Sequence, residues 1–188
     1  MVVKLGAQEL RTEIPTEEAL LSIKKHPIYI ILDNVLDTYN VGAIFRLADA
    51  VAAEKVFLCG QTETPPNTRI KKASINTTEW VSWEYCETAV EAIKKLKSSH
   101  FAKASQDKQI SNLKVFALEQ DQRSVPYDKV EYTFPIALVV GHETDGVSKE
   151  VLKLCDEIVE IPMWGVNVSL NVMVSLGIVL FKIMEAKK

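Results

Sequence analysis

Five short apolar runs, IYIIL at 28–32, VFLCG at 56–60, KVFAL at 114–118, PIALVVG at 135–141 and EIVEIPM at 157–163, are set between stretches of helical periodicity. Runs this short, apolar throughout rather than at every second residue, are what strands covered on both faces look like. The periodic stretches supply the covers: 40–53 through Val41, Ile44, Phe45, Ala48 and Val51, 88–96 through Ala89, Ala92, Ile93 and Leu96, 148–155, and a long apolar helix at the C-terminus. The alternation predicts an α/β fold with a mostly parallel sheet covered by helices on both faces. Trp80-Val81-Ser82-Trp83 reads as a further short strand, and Arg69, Lys71 and Lys72 as a basic loop after Pro65-Pro66. Near the C-terminus two strands empty into small and polar residues that open a helix. In open α/β proteins ligands bind there, outside the carboxyl ends of strands, where helix N-termini offer unpaired N–H groups.

With 188 residues the chain can bury a core without metal or disulfide help. Residues 1–27 read as a short leader whose helix is capped by Thr16 and stopped by Pro27, and 28–188 as the main domain. A net charge of −3 and a pI near 5.7 give no global electrostatic reason for nucleic-acid binding, so any such site is a local patch. Cys59, Cys86 and Cys155 are odd in number, far apart and without a Cys-x-x-Cys pair, which implies reduced thiols and no zinc site. The first residues lack a secretory apolar core. The stretch 168–184 falls short of the about 18 apolar residues of a membrane span and carries Ser169, Asn171, Ser175 and Lys182. A cytoplasmic protein with no membrane partner is the expectation.

Three constellations carry chemistry. In Asn40-Val41-Gly42-Ala43-Ile44-Phe45-Arg46, Asn40 is a potential N-cap, Gly42 a place where backbone can approach a ligand, and Arg46 either a functional cation or a helical partner of Asp49. In Gly141-His142-Glu143-Thr144-Asp145-Gly146-Val147-Ser148, two glycines bracket a carboxylate, which suits either a ligand cradle or a polar turn. It is not a phosphate loop, and His142 has no partner at metal-ligand spacing. In Ile161-Pro162-Met163-Trp164-Gly165-Val166-Asn167-Val168-Ser169-Leu170-Asn171, the polar Ser169 and Asn171 stand at the mouth of an otherwise apolar helix. They either satisfy helix-end N–H groups or shape a pocket for an adenine-sized ring, with Met163 and Leu170 as apolar walls.

In this order the three stretches resemble the signature motifs of the SpoU family of RNA 2′-O-ribose methyltransferases, in the SPOUT superfamily, over about 28–183. The resemblance implies a C-terminal trefoil knot, although knots are otherwise rare. It also implies S-adenosylmethionine as methyl donor, leaving as S-adenosylhomocysteine, held by Leu118, Gly141, Ile161, Met163 and Leu170. A homodimer is implied in which Arg46 reaches a site completed by the partner, and no metal. By the same resemblance Arg46 is the catalytic residue, Asn40 and Glu143 orient it and the motif loops, and Ser169 and Asn171 position the ribose. A guanidinium is always protonated, so Arg46 as phosphate anchor is physically easier than Arg46 as base. The implied substrate is RNA, transfer RNA being favoured over ribosomal RNA, with Arg69, Lys71 and Lys72 as candidate phosphate contacts. Leu47, Met173 and Ser175 depart from the family pattern, which motivates a second reading: a catalytically silent RNA-binding or donor-binding module on the same fold.

Overall fold

Strand β1 (His26–Asp33) runs through the middle of the molecule and is buried from Ile28 to Asp33. It pairs in parallel with β2 (Ala53–Cys59) on one side, beyond which lies β3 (Trp83–Cys86). On its other side stand β6 (Ile136–Gly141), β4 (Lys114–Leu118), β7 (Glu157–Glu160) and the two-residue β5 (Val125–Pro126). Among the described residues seven strands, all parallel, thus lie in the order β3-β2-β1-β6-β4-β7-β5. This computed structural model describes residues 4–6, 8–11, 13–106 and 113–187.

Alternation along β1 divides the core. Ile28, Ile30 and Leu32 face a layer made by helix α2 (Thr38–Ala50) and helix α6 (Val172–Glu185), with Ile44, Phe45, Leu176 and Leu180 fully buried against them. Tyr29 and Ile31 face the opposite layer, helix α4 (Ala89–Gln106) and the short helix α5 (Lys149–Leu152), through Ala92, Ile93 and Val151. A sheet covered on both faces needs apolar side chains at every strand position, which is why these strands read as unbroken apolar runs.

Several local expectations are corrected. Asn67 caps a helix, α3 (Thr68–Ser74), by accepting from Arg69 N at 2.9 Å and Ile70 N at 3.2 Å, so the basic trio stands on a helix rather than a loop. Of the segment 80–83 only Trp83 is strand: a 3-10 turn at Thr77–Glu79 precedes it, the Trp80 indole donates to Asp49 at 2.7 Å, and β3 runs on from Trp83 to Cys86. Helix α1 (Glu17–Leu21) is capped by Thr16 as expected but ends before Pro27, which instead lies within β1. Of the leader, 1–3, 7 and 12 lie outside the described residues.

Strand order positions the site. In the sheet Asp33 at the end of β1 stands beside Gly141 at the end of β6, so the loops that follow are neighbours. The connection from β4 to β6 travels outward past β7 to form β5 before returning. After β7 the chain comes back across the carboxyl ends of the strands to open α6 next to α2.

Candidate active site

Helix α2 starts where β1 ends. Its cap is Asp37, whose Oδ1 accepts from Tyr39 N at 2.8 Å, so Asn40 is not the cap and sits buried in the first turn. The Asn40 side chain is committed to two distant segments. Its Nδ2 donates to Glu143 Oε1 at 3.0 Å, and its Oδ1 accepts from Asn171 Nδ2 at 3.0 Å. Glu143 also accepts from Leu36 N at 3.1 Å and Asp37 N at 3.0 Å. Asn171 in turn caps α6, its Oδ1 accepting from Met173 N at 3.0 Å and Val174 N at 3.4 Å. The pattern is self-consistent: a carboxylate can only accept, so Asn40 must present its NH2 to Glu143 and its oxygen to the remaining Asn171 NH2. Partial burial works to raise the Glu143 carboxyl, but the hydrogen bonds from Asn40, Leu36 and Asp37 outweigh it and hold the group below the ordinary glutamate range.

The loop after β6 folds back on itself, His142 N donating to Gly146 O at 3.1 Å and Gly146 N to His142 O at 2.9 Å. The His142 Nδ1 accepts from Thr144 N at 3.0 Å and Asp145 N at 3.1 Å, which leaves the ring proton on Nε2. Two carboxylates fasten this loop to the sheet. Glu119, just past β4, accepts from Val147 N at 2.7 Å, and Asp33, 3% exposed, from Ser148 N at 2.9 Å. The fit leaves no room for side chains at the glycines: a Cβ on Gly141 would lie 2.2 Å from the Gly146 backbone, and one on Gly146, at φ +70°, 2.0 Å from Glu119 Oε2.

Over the carboxyl ends of β4, β6 and β7 these loops enclose a cavity of about 540 Å³, within the range of small-molecule sites. Leu118, Gly141, Ile161, Met163 and Leu170 line it, as do Glu143, Ser169 and Asn171. The Ser169 hydroxyl is turned to Asn167 Oδ1 at 3.1 Å. Arg46 is not among the lining residues. It stands six residues beyond Asn40, about 9 Å along α2 and about 120° around it, and is exposed. Arg69, Lys71 and Lys72 lie on α3, away from the cavity, and Lys71 pairs with Glu79 at 3.7 Å. Gly42 faces α3 rather than a ligand: a Cβ there would meet Ala73 Cβ and Ile70 O, each at 2.6 Å.

Asp33, Glu119 and His142 hold the cavity loops together; the sequence does not single out Asp33 and Glu119, and it offers His142 only as an ordinary loop histidine. The available signal was a carboxylate at or just past the end of a buried strand, which both Asp33 and Glu119 are. Among the described residues, no group of three or more His, Cys, Asp or Glu side chains is placed to hold a metal ion. Nor is any of their helices long and apolar enough to cross a membrane. Cys59, Cys86 and Cys155 are free thiols.

The model of the SpoU rRNA Methylase family matches residues 27–181, most of the chain. This chain belongs to the SpoU family. Among its SpoU relatives, the tRNA (guanosine(18)-2′-O)-methyltransferase of Aquifex aeolicus (strain VF5) is 30% identical over 169 residues, which are 87% of this chain and 71% of that one. The 23S rRNA (guanosine-2′-O-)-methyltransferase RlmB of Ralstonia nicotianae is 29% identical over 176 residues, 94% of this chain and 66% of that longer protein. The solved structure of an AdoMet-bound rRNA methyltransferase from Sinorhizobium meliloti superposes with a TM-score of 0.69 at 26% identity, covering 88% of this chain and 59% of that one.

Proposed function

We propose that this SpoU protein transfers a methyl group from S-adenosylmethionine to a ribose 2′-hydroxyl of RNA, acting as a homodimer on transfer RNA in preference to ribosomal RNA. The observation that carries the reading is the hydrogen-bonded chain Glu143–Asn40–Asn171, which brings three motifs to the mouth of one cavity. The cavity suits the donor. Gly141 opens the wall to backbone contact, Leu118, Ile161, Met163 and Leu170 supply apolar surfaces for an adenine ring, and Glu119 and Glu143 face a cationic ligand with carboxylates.

The donor supplies an already activated methyl group, whose bond to sulfur breaks as its bond to the ribose oxygen forms. What this chain must add is alignment of the hydroxyl and a path for its proton. Arg46 anchors the phosphate beside the target ribose through a bidentate charge-assisted pair, and that phosphate takes part in removing the proton. Ser169 and Asn171 position the ribose at the cavity mouth, and Asn40 and Glu143 keep the start of α2 in register with the donor loops. Arg69, Lys71 and Lys72 contact phosphates further along the RNA.

Because Arg46 is exposed on α2 and does not line its own cavity, it completes the cavity of a second copy. The outer faces of α2 and α6 suit that assembly: Tyr39, Val174 and Phe181 are exposed there at 52%, 41% and 55%, with Leu36 beside them. Leu47, a departure from the family pattern, fits between the helices, one of its methyls 3.4 Å from the place of a Cβ on Gly177. The excursion of 119–135 around β7, followed by the return of the chain to Asn171, supports a trefoil knot at the C-terminus. Residues 28–188 belong to the methyltransferase domain, whose first strand already begins at His26, and the preceding residues to a leader whose Leu10 O accepts from Asn76 Nδ2 at 2.8 Å, in a cytoplasmic enzyme. The test is Arg46→Ala. Methylated nucleoside recovered from RNA after incubation with labelled donor falls on the order of 100-fold, while donor affinity by calorimetry is unchanged. An unimpaired variant, or a wild-type protein that labels no class of RNA, defeats the proposal.

A further inference from the structure

A second cavity, of about 370 Å³, lies apart from the donor site and shares no residue with it. Pro65, Pro66 and Trp83 line it together with the polar Thr68, Lys71 and Glu79. We infer that this cavity takes an unstacked base of single-stranded RNA, stacked on Trp83, and that the edge strand β3 with α3 forms a platform for the RNA flanking the modified nucleotide. The inference rests on the RNA substrate proposed above.

Four observations carry it. The indole sits at a sheet edge, where among the described residues no further strand pairs with β3, so a ligand can approach from the side. Trp83 and Tyr85, two residues apart on one strand, point to the same face about 7 Å apart, which gives two successive aromatic platforms. Both rings are held before any ligand arrives: Trp83 packs against the core and the Tyr85 hydroxyl donates to Gly60 O at 3.2 Å, although Tyr85 is 48% exposed. Finally, Arg69, Lys71 and Lys72 stand on a helix of seven residues next to the cavity, in a chain whose net charge is −3. Lys71 answers the Glu79 carboxylate, while Arg69 and Lys72 are exposed for phosphate. Aromatic surface beside concentrated cations is the recognition chemistry of unpaired nucleic acid, since every base has a face to stack and every linkage a charge.

The test uses the full chain and a labelled single-stranded RNA of about ten nucleotides, in the size range that small single-strand sites cover. Trp83→Ala weakens binding about tenfold, as loss of one stacked base does, and Trp83→Phe retains most of it. Arg69→Ala with Lys72→Ala weakens binding and flattens its dependence on salt. A bromouridine-substituted strand crosslinks to the segment containing β3. Donor affinity is the same in every variant. Should Trp83→Ala lose its fold, Tyr85→Ala, which removes a surface ring, carries the same expectation of weaker binding. Undiminished binding in the folded aromatic variants, or crosslinks confined to the donor loops, overturns the inference. So does a change of oligomeric state in sedimentation of Tyr85→Ala, which would assign this edge to a second protein chain. Binding at β3 without methylation of any RNA would leave the platform standing and remove the proposed reaction instead.

Discussion

Glu143 accepts from Leu36 N, Asp37 N and Asn40 Nδ2, and replacing it by glutamine turns one accepting oxygen into a donor that faces another donor. Glu143→Gln therefore lowers stability by about 1 kcal/mol, the low end for a partly exposed group left unsatisfied, and weakens donor binding more than its size suggests, because the loop it anchors forms the cavity. Denaturant unfolding and calorimetry measure the two effects. The same hydrogen bonds set a pH dependence. Since the folded carboxyl titrates below its ordinary value, its contribution is present above that value and is lost as pH falls through the lowered one. Donor affinity should thus hold steady from neutral pH through the ordinary glutamate range and decline only below it; a decline centred near neutrality would assign control to another group. Asn40, Glu143 and Asn171 were visible in the sequence as polar residues in otherwise apolar motifs. Their mutual hydrogen bonds were not, because 103 and 131 residues separate the partners. The roles of Asp33, Glu119 and His142 are illegible for a different reason: each bonds backbone N–H groups, which every residue but proline carries and no pattern of side chains reveals.

At the scale of elements, the close seat of α3 on α2 depends on Gly42. Adding a single methyl there brings it within 2.6 Å of Ala73 Cβ and Ile70 O, and a backbone atom cannot swing aside as a flexible side chain would. Gly42→Ala is expected to cost about 1–3 kcal/mol, read from the denaturation midpoint, and to shift α2 enough to lengthen the Asn40–Glu143 contact. A variant as stable as wild type would mean that the helices can slide apart freely. The strands buried on both faces were legible because burial imposes an unbroken apolar run; β4 falls on 114–118 as the sequence predicts. β5 was not, since two residues carry no periodicity. α3 was missed because only Ile70 and Ser74 of its seven residues are buried, too little to print a helical stripe.

For the whole molecule, the proposal that Arg46, exposed on α2, completes the cavity of a second copy predicts complementation between subunits. Mixing Arg46→Ala with Gly141→Ala, each inactive alone, is expected to restore about a quarter of wild-type methylation at equal amounts, because half of randomly formed dimers are mixed and one of the two sites in each is intact. Activity that stays at the level of the separate variants would place Arg46 in its own subunit's site. Neither strand order nor the route of 119–135 around β7 could be read from the chain, since periodicity reports which residues are buried and not which strands are neighbours. The cavity draws its last wall and the Asn171 clamp from 161–171, after all seven strands of the described sheet. A ribosome must therefore add residues through Asn171 before any methyl donor can be captured, and translation products that stop short of it, however well their sheet has begun to form, have nothing with which to hold it.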